Sequence, residues 1–388
     1  MNTTTSCDTM ESIRNEINTI DNELIELFVR RMNASERMAD VKRKISAPVQ
    51  DPARERTILT KVANAVGPDL ENEARLMFTT LMSISRGRQR AEISGESAFA
   101  QNIASATSTT PKTFTSSASV ACPGVDGSYS QQAACRLINF PTILYFKGFD
   151  DVFSAVEKGM CDYGILPIEN SAVGSVSAVY DLMAKHKFKI VRAIKLRIRH
   201  VLLAPRGTNL KDVKEISSHP HAIAQCSEFL NTLPNIRAVP ATNTAAAAAQ
   251  IAASGRKDVA VIASRECAAL YGLEVIKEDI SNTTSNYTRF ICISKKCEIY
   301  PDAGKFSVMM SLNHRPGALT DVLVKFAAAG VNLTKLESRP VPGSDFEFRF
   351  IFDFEATAHD PRVIKMLSAF STDPEIENFT FLGAYSEK

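Results

Sequence analysis

No stretch of the 388 residues approaches the ~20 consecutive apolar side chains that a membrane-spanning helix requires. The first residues, Met1 to Cys7, are polar and carry no signal-peptide core. Charge imbalance is nearly absent too: 45 Lys and Arg against 43 Asp and Glu leave +2. That gives no bulk attraction to nucleic acid or membrane, and no basic block with interleaved aromatics replaces it. The eight cysteines form no C-x-x-C pair and no Cys/His cluster at zinc spacing. His219-Pro220-His221, the one close histidine pair, lacks further ligands for a metal. The expectation is a cytoplasmic protein with packed free thiols, no metal, and neither nucleic acid nor membrane as partner. What remains is ordinary globular composition, 45% hydrophobic and 23% charged, with room for two to four domains.

Near the middle, the apolar run Tyr163 to Ile168 stops on Glu169 and Asn170. A strand covered on both faces of a parallel sheet reads this way, and ligands in open α/β sheets sit beyond the carboxyl ends of such strands. Gly174-Ser175 then precedes an amphipathic segment, Val176 to Met183, expected as a helix whose N-terminus favours an anion. An ordinary capped connection fits the same residues.

Ahead of it, apolar residues recur at spacings of three and four through Met10, Ile13, Ile17, Ile20, Leu24, Leu27, Ala34, Met38, Val41 and Ile45. This is a heptad seam. Arg31 is the charge within it, and a buried guanidinium needs an anion. Lys42, three helical turns later, falls on nearly the same face, ~16 Å away along the axis, which leaves a gap suited to a small dianion. A helix from about Thr9 to Ile45 would be roughly 55 Å long, too long for this segment to cover alone, so an intertwined dimer is expected. Asp51-Pro52 has the form of an N-cap and first helical residue. A third helix continues its inner face with Ser85 and Gln89. A bundle interaction module in which Arg31 pairs with Glu55 would share this pattern.

Arg14, Arg31, Lys42, Asp51, Arg54, Glu55, Ser85 and Gln89 resemble, in order and spacing, the active-site set of the all-helical chorismate mutases. The resemblance implies a cofactor-free pericyclic conversion of chorismate to prephenate. It gives Arg14 to the partner subunit's site, Arg31 and Arg54 to the substrate carboxylates, and Lys42 with Gln89 to the ether oxygen, with Asp51, Glu55 and Ser85 completing the set.

From Ser94 to Ser119 the composition turns to Ser, Thr and Ala and reads as a flexible tether without a catalytic role, part of which could dock as a helix. Beyond it, strand and helix patterns alternate to residue 296, which indicates an α/β domain of two lobes, the second inserted into the first. Gly127-Ser128-Tyr129-Ser130, Pro167-Ile168-Glu169-Asn170, Gly174-Ser175, Ser218-His219-Pro220 with Gln225, and Thr288-Arg289-Phe290 together resemble prephenate dehydratase. That family implies a bilobal fold similar to type II solute-binding proteins. Val125 stands where many members have proline. Chemically, loss of carbon dioxide and hydroxide from prephenate needs a donor at the leaving hydroxyl and a clamp on the carboxylates. Thr288 is assigned to the leaving group, Glu169 to the proton, and Asn170 to the same catalytic set. Ser128, Ser175, Ser218, Gln225 and Arg289 are assigned to binding.

The last segment reads as βαββαβ, a ferredoxin-like order. Its third strand, Asp345 to Phe354, places Phe346, Phe348, Phe350, Phe352 and Phe354 on one face. Gly317-Ala318-Leu319 and Glu337-Ser338-Arg339-Pro340 resemble the amino-acid-binding motifs of ACT domains. The implied effector is phenylalanine, held near Asn332 and both motifs. The expected divisions are a mutase domain at 1–92, a linker at 93–118, a dehydratase domain at 119–296 and an ACT domain at 304–388. That order resembles the bifunctional chorismate mutase/prephenate dehydratases, which implies a homodimer or homotetramer. An amino-acid sensor built on the same folds, and a dehydratase acting on arogenate, stay open at this point.

Overall fold

The computed structural model describes residues 9–94, 97–341 and 347–388. Helix α1 (Met10–Ile45) starts where the Thr9 side chain accepts from the Ser12 amide, and ends as Ser46 enters the left-handed region at φ 51°. Helix α2 (Pro52–Val66) follows the expected cap, the Asp51 carboxylate accepting from the Arg54 amide. Helix α3 (Glu71–Ser94) runs back along both. Met32, Ser35 and Ala39 are the residues that α1 buries, all in its C-terminal half. The earlier seam residues Ile13, Ile17, Ile20 and Leu24 remain 43%, 50%, 49% and 44% exposed.

Part of the tether docks as a helix. Helix α4 (Ala98–Thr109), capped by Ser97, occupies much of it and buries Ile103 and Ala106. Phe99, Ile103 and Ala106 stack on one helical face against the Phe379 and Phe381 region of the C-terminal domain. A small apolar stripe suffices here because a larger core receives it.

The first lobe of the central domain comprises β1 (Ser117–Pro123), α5 (Tyr129–Leu137), β2 (Phe140–Phe146), α6 (Phe149–Glu157), β3 (Tyr163–Asn170), β4 (Gly174–Ser175), α7 (Ser177–His186) and β5 (Lys189–Arg197). The second lobe is built from β6 (Val201–Pro205), β7 (Glu215–Ser218), α8 (Pro220–Gln225), α9 (Ser227–Asn231), β8 (Arg237–Pro240), α10 (Thr244–Ser254), β9 (Val259–Ala263), α11 (Glu266–Tyr271) and β10 (Leu273–Lys277). The chain then returns through β11 (Tyr287–Ser294), which pairs antiparallel with both β3 and β5. The second lobe is thus an insertion with its own five-stranded sheet, in the order β10-β6-β9-β7-β8. One expectation changes: Gly174-Ser175 is a short strand folded back on Asn170 and Glu169, and the helix begins only at Ser177.

The C-terminal domain is β12 (Lys305–Leu312), α12 (Ala318–Ala329), β13 (Asn332–Pro340), β14 (Phe348–Glu355), α13 (Pro361–Ser371) and β15 (Ile376–Glu387), the expected βαββαβ. Asp345 and Phe346 lie outside the described residues. The alternation on β14 holds over the described residues, and its second face is buried as well. Phe352 and Phe354 are buried on one face, but Ile351 and Asp353 are equally buried on the other, because the central domain covers it.

β15 continues past its own sheet and pairs parallel with β5 through Ser386 and Glu387, so a single ten-stranded sheet runs across both domains. Gly383 makes that crossing possible. A Cβ on it would lie 2.2 Å from the Ile190 carbonyl oxygen, inside any tolerable contact. Gly383→Ala is expected to cost ~3 kcal/mol, the upper end of overpacking. Thermal unfolding would register this as a lowered midpoint, and a midpoint equal to wild type would contradict the close approach.

Candidate active sites

The helical domain brings part of its expected set together. Arg31 on α1 donates to the Leu81 carbonyl on α3 at 2.9 Å and to the Ser85 hydroxyl. Burial lowers the Arg31 pKa, and no carboxylate of the described residues is paired with it. Glu55 on α2 is the partner of Arg86 instead, at 2.5 Å. This removes the bundle pairing of Arg31 with Glu55. Gln89, one turn beyond Ser85, is buried, and its Oε1 has no hydrogen-bond partner among the described residues. Lys42 donates to the Val49 carbonyl at 2.5 Å, in the turn between α1 and α2.

The half-buried cations Arg31 and Lys42 and the buried Gln89 amide are groups that suit an anionic ligand. Arg14 and Arg54 are exposed, and Asp51 serves as the α2 cap. Arg86 was missed by the sequence reading, although it lies between Ser85 and Gln89 in the same helix.

In the central domain, a chain of amides links the two lobes. Asn170, the last residue of β3, donates to Thr288 Oγ1 at 2.9 Å and to Asn286 Oδ1 at 2.8 Å. Asn286 in turn donates to Gln225 Oε1 at 3.0 Å, and His200 Nε2 lies 3.0 Å from the same oxygen. Both Asn286 and His200 are buried. Burial pushes His200 below the ordinary histidine range, opposed by its hydrogen bond to Gln225. Neither residue was expected; the only available signal was the polar loop before β11, and nothing in the pattern distinguished His200.

Ser128 caps α5 and is buried. Ser218 donates to the Ile262 carbonyl at 2.6 Å and is spent within the second lobe.

Register divides the remaining residues. Thr288 pairs with Asn170 and Arg289 with Glu169. Side chains alternate along a strand, so Thr288 and Asn170 share one face while Arg289 and Glu169 share the other. On that other face lies the C-terminal domain. Arg289 contacts Asp353 at 2.6 Å, Glu387 at 2.6 Å and the Tyr385 hydroxyl. Burial works against the Arg289 charge, and Tyr385, Asp353 and Glu387 more than restore it. Glu169 meets Lys335 at 3.0 Å, and Ser175 accepts from Lys335 at 2.6 Å. The geometry differs from what was expected of two residues: Glu169 lies on the face opposite the Thr288 hydroxyl, and the Arg289 guanidinium is held by Asp353 and Glu387 of the C-terminal domain.

Of the residues expected to bind an amino acid, Gly317 opens α12 at φ 83° ahead of Ala318 and Leu319, and Asn332 opens β13. Ser338 is exposed. Glu337 accepts from Ser175, and Arg339 donates to the Ser177 carbonyl at 2.9 Å, so both side chains turn toward the central domain.

Comparison with known proteins matches residues 13–90 to chorismate mutase type II and residues 120–298 to prephenate dehydratase. The chain is 30% identical over 372 residues to the bifunctional chorismate mutase/prephenate dehydratase of Escherichia coli K12, covering 94% of this chain and 93% of that protein. It is 38% identical over 268 residues to arogenate dehydratase/prephenate dehydratase 2 of Arabidopsis thaliana, covering 65% of this chain and 70% of that one. Among solved structures, the prephenate dehydratase of Arthrobacter aurescens in complex with L-Phe is 33% identical, with a TM-score of 0.62, over 69% of this chain and 89% of that one. The mutase match covers the helices that carry Arg31 and Gln89, the dehydratase match covers Asn170 and Thr288, and one bacterial relative spans both nearly end to end. The chain belongs to the bifunctional chorismate mutase/prephenate dehydratase family.

Proposed function

We infer that this chain converts chorismate to prephenate at the helical site and prephenate to phenylpyruvate between the two central lobes, under inhibition by L-phenylalanine. The supporting observation is the coincidence of two independent site geometries with the two family matches on one chain.

In the first reaction no group of the protein exchanges a bond. Arg31 holds a carboxylate, while Lys42 and Gln89 stabilise charge developing on the breaking ether oxygen. Each such donor is worth ~3–4 kcal/mol, and enforcing the reactive conformer adds several more.

In the second, the bond from the ring to its carboxylate breaks and its electron pair aromatises the ring. The bond to the hydroxyl breaks with it, and that oxygen leaves as water after gaining a proton. Thr288, aligned by Asn170, hydrogen-bonds the departing oxygen. Asn286, bonded to Asn170, and Gln225 continue this hydrogen-bonded row into the second lobe. Gly317, Ala318, Leu319, Asn332 and Ser338 are the proposed effector contacts on the C-terminal domain, which is read as an ACT domain.

The assembly is a homodimer through α1. Its free seam residues need a cover, and a second copy of the same seam supplies one. Arg14 supports this: it lies ~25 Å along the helix from Arg31, beyond reach of its own site. Sedimentation of the purified chain, alongside turnover of prephenate and of arogenate, tests the reading. A dimer that turns over prephenate and is inhibited by phenylalanine is expected. A monomer would refute the α1 pairing, and preference for arogenate would reassign the dehydratase substrate.

A further inference from the structure

The alternation at the ends of β3 and β11 has a mechanical consequence. Glu169 and Asn170 are adjacent on β3, and Arg289 and Thr288 are adjacent on β11. In each pair one side chain enters the lobe cleft and the other points into the C-terminal domain. Asn170 and Thr288 hold each other at 2.9 Å on the cleft side. On the far side, Arg289 sits in a buried cluster with Asp353 at 2.6 Å and lies 3.7 Å from Glu169, which is 36% exposed and makes its shorter contact, 3.0 Å, with a lysine.

That lysine is Lys335. It is 10% exposed, lies over the Tyr180 ring at 5.5 Å, and divides its ammonium among Glu169 at 3.0 Å, Ser175 at 2.6 Å and Glu337 at 3.1 Å. Along β13 the inward positions are Lys335, Glu337 and Arg339, and all three contact the segment from Glu169 to Ser177. One face of this strand is therefore spent on the end of β3, while Leu336 and Ser338 on the other are exposed.

We propose that Lys335 is a positioning residue of the dehydratase site: it relays the position of β13 to the Asn170–Thr288 pair through Glu169. This rests on the effector reading given above. A ligand that shifts β13 changes what Lys335 can hold, and Glu169 carries that change to the next residue of its own strand. Inhibition then follows from the difference in Lys335 contacts between the two states, as allosteric coupling requires. Arg289 contributes a longer, 3.7 Å contact to Glu169 and is held in its buried cluster by Asp353 and Glu387, neither of them on β13.

The test uses the full-length protein and L-phenylalanine. In Lys335→Met, the phenylalanine concentration for half-inhibition of prephenate turnover is expected to rise at least tenfold. Phenylalanine binding by calorimetry is expected to persist, and chorismate consumption to stay within about twofold of wild type, which reports an intact fold. Lys335→Arg is expected to keep wild-type inhibition. Glu169→Gln reaches the same contact from the other domain and is expected to lose the response likewise, with the double variant no worse than either single one. Three outcomes overturn the relay: Lys335→Met inhibited at the wild-type concentration, Lys335→Met unable to bind phenylalanine, or effects of the two substitutions that multiply. A wild-type protein that consumes prephenate without responding to phenylalanine overturns the effector reading itself, and the relay with it.

Discussion

Thr288→Ala is expected to lower prephenate turnover by ~10²–10³-fold while chorismate consumption stays at wild-type rate. The hydroxyl is 2.9 Å from Asn170 Nδ2, which is itself fixed by Asn286 at 2.8 Å. A donor held in this way needs no reorganisation as charge builds on the leaving oxygen, and losing one such group costs ~3–4 kcal/mol of barrier. Thr288→Ser keeps the hydroxyl and is expected to recover most of the loss. Because Asn170 aligns Thr288, Asn170→Ala should fall in the same range without multiplying with Thr288→Ala. Steady-state kinetics on prephenate decides the matter: turnover within a few-fold of wild type for Thr288→Ala would remove this hydroxyl from the chemistry.

Lys42→Ala is expected to lower chorismate turnover by ~10²–10³-fold and to leave the dehydratase untouched. The Lys42 ammonium is placed on the Val49 carbonyl at 2.5 Å, at the far end of the site from Arg31. A carbonyl in the inter-helix turn fixes its position before substrate arrives, which is the preorganisation that makes a charged donor effective. Lys42 bonds within the helical domain, to Val49, so the effect should not cross between activities. The Arg90 to Asp373 ion pair at 2.8 Å joins α3 to the C-terminal domain and is left intact. Chorismate consumption within tenfold of wild type would show that Lys42 does not stabilise the breaking bond.

Legibility varied with the range of the interaction. The Asp51 cap, the long first helix ending at Ile45 and the end of β3 near Asn170 could be read directly, because each depends on neighbours in the chain. Arg31 could be singled out because a charge within an apolar register demands an explanation. The stripe Phe99, Ile103 and Ala106 was hidden in a run of Ser, Thr and Ala, and becomes a helix only because the C-terminal core receives it. Glu169 and Arg289 were assigned to the substrate because motif order does not reveal which face of a strand a residue occupies. Their true neighbours, Lys335 and Asp353, lie 166 and 64 positions away. Buried polar groups at a domain seam and at a catalytic site have the same composition, and only the pairing register separates them.

The most direct measurement is a time course on the purified protein given chorismate alone, with prephenate and phenylpyruvate quantified in the presence and absence of phenylalanine. The expected result is prephenate rising first, phenylpyruvate following, and phenylpyruvate formation suppressed by phenylalanine. Chorismate left unconsumed by folded protein, or prephenate accumulating without phenylpyruvate, would contradict the assignment of two active sites to this chain.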